Sequence, residues 1–119
     1  MPTNSKAVLI GLNIYLSENN IKRNIGSFVT NVANSNGDIK TVNTLVLLGG
    51  GTYSYAATAG NLITIAKCSE PLTIDVTLAG GGTFTKLMTS ILLLDMEVST
   101  IVFTNNSATD NVNLVIISG

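Results

Sequence analysis

The chain has 119 residues, 45% apolar and only 11% charged, with a formal net charge of −1. That length makes one domain, able to bury roughly two-thirds of the surface its unfolded form exposes. The six basic residues lie scattered along the chain, so nothing faces a row of phosphates and no direct nucleic-acid partner is expected.

From the N-terminus, Lys6 followed by Ala7–Leu12 imitates a signal peptide, a positive charge before an apolar stretch. The stretch alternates strictly and leads into Ser17-Glu18-Asn19-Asn20 without a small-x-small cleavage pattern, which makes it a first strand. Val8, Ile10, Leu12, Ile14 and Leu16 share one face; Leu9, Gly11, Asn13 and Tyr15 take the other. Ser17 suits the cap of a short helical turn over Ser17–Arg23, although Asn19-Asn20 are poor helix formers. Weaker strand signals follow over Ile25–Val32, Ile39–Leu48, Thr52–Ala57 and Leu62–Lys67. Between the first two, Ser35-Asn36-Gly37-Asp38 is the strongest hairpin signal, because Asn-Gly takes positive φ at both central positions.

Glu70-Pro71 ends one strand and starts the next. There Leu72, Ile74, Val76 and Leu78 alternate with Thr73, Asp75, Thr77 and Ala79, the cleanest half-buried strand in the chain. A second short helical turn is expected at Lys86–Ser90. Ile91-Leu92-Leu93-Leu94 is far short of the ~20 apolar residues of a spanning helix, and a transmembrane barrel needs aromatic girdles that three Tyr and three Phe do not supply. Glu97–Val98 opens the strand that carries Ile101 and Phe103. Asn105-Asn106-Ser107 and Thr109-Asp110-Asn111 bracket a tight connection to the last strand, where Val112, Leu114 and Ile116 alternate with Asn113, Val115 and Ile117. The expected fold is all-β: a single antiparallel β-sandwich over residues 1–119, jelly-roll-like.

One segment echoes another. Leu47-Leu48-Gly49-Gly50-Gly51-Thr52-Tyr53-Ser54 reappears as Leu78-Ala79-Gly80-Gly81-Gly82-Thr83-Phe84-Thr85, which suggests two equivalent hairpins. Neither glycine run continues into the Gly-Lys-Ser/Thr that opens a phosphate-binding helix, so both read as loops or sharp corners.

The candidates for chemistry are few. Asp95 and Glu97 would sit on one strand face about 7 Å apart, a spacing suited to a carboxylate pair, and read more simply as solvated or interface charge. Asp75 reads as the wet face of a sheet. His is absent, so serine has no imidazole base and zinc, haem and copper lack their usual ligands. Cys68, alone, reads as a buried thiol. Tyr53 and Tyr55 share a strand face, the geometry of a glycan-stacking platform and equally of cross-strand packing. Asn105-Asn106-Ser107 is a formal glycosylation sequon. No catalytic, cofactor-binding or metal residue is assigned, and the chain is not expected to be an enzyme.

A small domain with so little charge and a mean hydropathy of +0.44 is expected to have its apolar surface covered by other subunits. The segment from Glu70 to Gly119 resembles the β-sandwich or jelly-roll proteins of bacteriophage virions. The pattern is Pro71-Leu72-Thr73-Ile74-Asp75-Val76-Thr77-Leu78 and a glycine-rich turn, then Ile101-Val102-Phe103-Thr104-Asn105-Asn106-Ser107 running into Asn111–Gly119 as a last hairpin. The resemblance implies a structural virion subunit: capsid decoration, penton or vertex protein, or minor head protein. Its partners would be copies of itself in a trimer or pentamer and other capsid proteins, and its place the virion. The alternative is a tail or fibre tip that binds a glycan or receptor through Tyr53, Tyr55 and the glycine loops. Val8–Leu16 and Val115–Ile117, apolar beyond one core face, are the expected subunit contacts.

Overall fold

The computed structural model describes residues 7–33 and 35–119; the segment preceding Ala7, with Lys6 of the signal-peptide look-alike, lies outside them. Ten strands carry the regular structure, and no helix occurs among the described residues. They are β1 (Ala7–Glu18), β2 (Ile21–Ala33), β3 (Lys40–Leu47), β4 (Thr52–Ala56), β5 (Thr64–Cys68), β6 (Leu72–Leu78), β7 (Thr83–Met88), β8 (Ile91–Leu94), β9 (Val98–Thr104) and β10 (Val112–Ser118).

From β3 onward the chain pairs as one long antiparallel hairpin wound upon itself. With the β6–β7 turn at its closed end, β3 meets β10, β4 meets β9, β5 meets β8 and β6 meets β7. Winding adds the β10–β5 and β6–β9 pairs. The result is two four-stranded sheets, β3-β10-β5-β8 and β4-β9-β6-β7: the jelly roll. Its core is made by the inward residues of each alternating strand. Leu72, Ile74, Val76, Ile101 and Phe103 come from one sheet, and Ala66, Leu92, Val112, Leu114 and Ile116 from the other.

Among the described residues, β1 and β2 stand apart as a two-stranded ribbon whose strands pair with each other and with no other strand. The radius of gyration, 16.0 Å, exceeds the roughly 13.5 Å of a compact domain this size, as a projecting ribbon requires. Its turn is Asn19-Asn20 with φ of 50° and 65°, the two positive values of a type I′ hairpin turn, in place of the expected helical turn. Asparagine tolerates the left-handed region, so this pair does the work expected of Asn36-Gly37.

Asn36-Gly37 is instead the junction between ribbon and sandwich. The Asn36 amide donates to the Gly60 carbonyl at 2.9 Å, and its side chain donates to the Ala59 carbonyl at 3.0 Å, so the junction is tied to the turn before β5. At Lys86–Ser90 the strand β7 runs on to Met88 and ends in a bend, without a helical turn. The two glycine runs are also not equivalent. Gly80–Gly82 closes the β6–β7 hairpin with φ of 94° at Gly81 and 95° at Gly82, whereas Gly49–Gly51 carries the chain from one sheet to the other. A Cβ at Gly49 would lie 2.7 Å from the Ala108 carbonyl oxygen, so the close approach of the 107–108 loop demands glycine there. β9 and β10 belong to different sheets, so the final pair is a crossover and not a hairpin.

Candidate assembly surface

The residues singled out for chemistry fall into structural roles. Asp95 and Glu97 lie in the irregular link between β8 and β9, not on a strand. The Glu97 carboxylate accepts a 2.7 Å hydrogen bond from the Gly60 amide and so pins the turn before β5. Asp75 is on the outer face of β6, where its carboxylate accepts from the Thr85 hydroxyl at 2.6 Å. Tyr55 is 1% exposed and Tyr53 packs half-buried against the core, so the tyrosine platform does not form. Lys40 places its ammonium 5.2 Å from the Tyr55 ring centroid and donates to the Ala56 carbonyl. Burial pushes the Tyr55 phenol above its ordinary value, the adjacent Ser118 hydroxyl partly opposing.

Asn105, first residue of the sequon, is buried. Its amide donates to the carbonyls of Leu47, Leu48 and Asp110 at 3.2, 3.1 and 2.7 Å, while its oxygen accepts from the Ser107 amide. It knits the crossover loops and is unavailable to a glycosyltransferase. The Cys68 thiol is buried, with the Ser90 carbonyl at 3.6 Å. Burial first, and the Glu70 carboxylate second, push it up. Among the described residues no three of His, Cys, Asp and Glu come together as a metal site. No helix there is long and apolar enough to cross a membrane.

The informative surface is apolar and lies in two places. The first is the ribbon. Register puts Leu12 opposite Phe28, Ile14 opposite Gly26 and Glu18 opposite Ile21. Side chains alternate across a strand, and the extra residue Ile25 resets the alternation in β2, so Leu12, Ile14, Leu16, Ile21 and Phe28 share one face. All five are exposed, Ile21 at 70% and Phe28 at 59%. The opposite face mixes exposed Leu9, Tyr15 and Val29 with polar groups: the Ser27 hydroxyl donates to Asn13 at 2.8 Å, and Asn24 donates to Ser27 at 3.2 Å. Only the root is covered, by Ile10 and half-buried Val8. The face of Leu12 and Phe28 is the more apolar of the two, and among the described residues nothing covers it beyond the root.

The second place is the outer face of the β3-β10-β5-β8 sheet. Ile117, Ile65 and Leu93 form one row straight across three strands; Val115, Lys67 and Ile91 form the next. Ile117, Leu93 and Ile91 are exposed, and Ile65 and Val115 half-buried. A β-bulge in β3 opposite Val115, with Thr44 at φ 51°, bends the sheet beside this row.

The sequence singled out Val115–Ile117 and Val8–Leu16 by apolar character at both parities, and both lie at this surface, with Ile10 and Ile116 turned into cover. Ile65, Ile91, Leu93, Ile21 and Phe28 were missed. For β8 the signal was available, since four successive apolar residues in a strand must place two on the outer face. The chain matches no protein-family model and no curated protein at significant similarity.

Proposed function

We propose that the protein is a structural subunit of a multi-subunit assembly, a virion protein of the capsid-decoration, penton or minor-head kind, acting through subunit contacts and without catalysis. The observation that carries the reading is the ribbon. Isolated two-stranded hairpins are marginal in water, and stability normally requires a third strand or a surface to pack on. This one extends twelve and thirteen residues per strand with nine large apolar side chains in the open, five of them on one face. Such a patch on a monomer is an aggregation hazard unless a partner covers it. The jelly roll recurs in viral capsid proteins and in lectins; buried Tyr55 leaves the lectin-like alternative without its proposed platform.

Native mass spectrometry of the full chain at micromolar concentration tests the assembly, with a discrete homo-oligomer such as a trimer or pentamer expected. A protein that stays monomeric, and is absent from purified particles by quantitative proteomics, contradicts the reading.

A further inference from the structure

We infer that the ribbon of one copy seats its apolar face on the outer face of the β3-β10-β5-β8 sheet of a second copy, so that subunits are joined by exchanged arms. The inference rests on the assembly reading and adds to it which surfaces meet. Three observations single out this occupant.

The first is matching character. Leu12, Ile14, Leu16, Ile21 and Phe28 on the ribbon face one way, and Ile65, Ile91, Leu93, Val115 and Ile117 surround Lys67 as an apolar patch on the sheet. The other outer face of the sandwich is built from hydroxyls and offers no such patch. The rows Thr52-Thr104-Thr73-Leu87 and Ala56-Thr100-Thr77-Thr83 cross it, with Asp75 between them.

The second is charge. The ribbon over 7–33 has Lys22 and Arg23 against Glu18, a net +1, while the sandwich from residue 35 has six acids against Lys40, Lys67 and Lys86, a net −3. Two of those acids, Glu70 and Asp95, follow the ends of β5 and β8 at opposite rims of the patch. The basic residues of the ribbon follow its Asn19-Asn20 tip. Ribbon against sheet brings opposite charges to the rim, where they fix register more than affinity.

The third is area. Five side chains on each side remove on the order of 1,000 Å² from water per contact, about the minimum for a specific interface, and a subunit that gives one arm and receives one is held by two such contacts. A give-and-receive contact is heterologous, and it closes into a ring when the rotation permits.

Cross-linking of the full chain in a Cys68→Ala background tests the contact. One population carries Ile14→Cys on the ribbon. A second, distinguishable by mass, carries either Ile65→Cys on the patch or Ser54→Cys on the hydroxyl face. After mixing under exchange conditions, a short bis-maleimide is expected to join Ile14→Cys to Ile65→Cys at least tenfold more than to Ser54→Cys. Predominant Ile14→Cys homodimers would overturn the inference in favour of stacked ribbons, as would equal yields on the two faces. An oligomer of unchanged mass without the Ile65→Cys product also overturns it while leaving the assembly reading intact. A purely monomeric wild-type chain removes the inference, and removes the assembly reading too when the chain is also absent from purified particles.

Discussion

The two sheets of the sandwich share one core yet turn opposite chemistry outward. On β4-β9-β6-β7 the outward positions are threonines, Ser54 and Asp75, with Ala56, Leu87 and half-buried Val102 the apolar exceptions. On β3-β10-β5-β8 the equivalent positions include Ile117, Ile65, Leu93, Val115 and Ile91, with Lys67, Asn113 and Thr41 the polar exceptions. Threonine satisfies a strand's preference for a branched Cβ while leaving a hydroxyl for water. Isoleucine satisfies the same preference and offers water nothing. Backbone propensity therefore does not explain the difference.

The comparison supposes that the shared interior holds both sheets alike, and the largest expected effect tests that. Phe103 in β9 is 0% exposed, and Phe103→Ala should cost about 3–5 kcal/mol through lost transfer energy and the cavity left behind. Leu114→Ala, from the facing sheet, should cost about 2–5 kcal/mol. Urea unfolding should give single transitions for both variants. Separate transitions for the two sheets would show that they do not fold as one unit.

Next comes the polar pin between the sheets. Asn105→Ala removes the donor to the Leu47, Leu48 and Asp110 carbonyls and leaves a buried gap, costing about 2–3 kcal/mol by the same measurement. Asn105→Asp should not rescue it, because a carboxylate cannot donate to three carbonyls. A loss below 0.5 kcal/mol, on the order of an ordinary surface substitution, would mean that water replaces those bonds.

The contrast between outer faces is then broken directly. Ile117→Asp on the apolar face should weaken self-association about 30-fold, the equivalent of about 2 kcal/mol for a central interface residue. Ser54→Asp on the hydroxyl face, at an exposed position of β4, should leave it within about twofold. Sedimentation equilibrium reads both. Equal effects would mean that the outward chemistry of the two sheets does not decide which face is covered.

Much of this was legible in alternation alone. Leu72, Ile74 and Val76 are buried, as their strand pattern requires, and Val112, Leu114 and Ile116 likewise. What alternation does not say is what covers an apolar face. Val8 to Leu16 has the pattern of a core strand, yet among its apolar residues only Ile10 is buried, because periodicity records amphipathicity and not its partner. Turn chemistry had the same limit. Asn36-Gly37 does supply a positive φ, 71° at Gly37, but the strands it joins pair elsewhere, so φ preference alone could not make it a hairpin. Sheet membership was the least legible feature, since winding a hairpin places β9 and β10 on different sheets whatever the intervening loop contains.

The smallest expected effect concerns pH, and each sheet contributes one group to it. Cys68 on β5 and Tyr55 on β4 both have raised values, chiefly because burial disfavours the anion; Glu70 adds to the first and Tyr53 to the second, while Ser118 opposes the second. Between the ordinary and raised values the unfolded chain has lost a proton that the native chain keeps, so stability falls as pH rises. The fall should begin near the ordinary thiol value of about 8.5 and steepen near the phenol's, about 10. Cys68→Ala should flatten the first part of the curve and Tyr55→Phe the second, read as urea midpoints between pH 7 and 11. The Tyr55 hydroxyl is buried without a partner in hydrogen-bonding geometry, so Tyr55→Phe strands no donor or acceptor and should keep its midpoint near wild type at pH 7. Should both variants track wild type to pH 11, the alkaline limit belongs to groups outside the core, and burial in the two sheets does not set it.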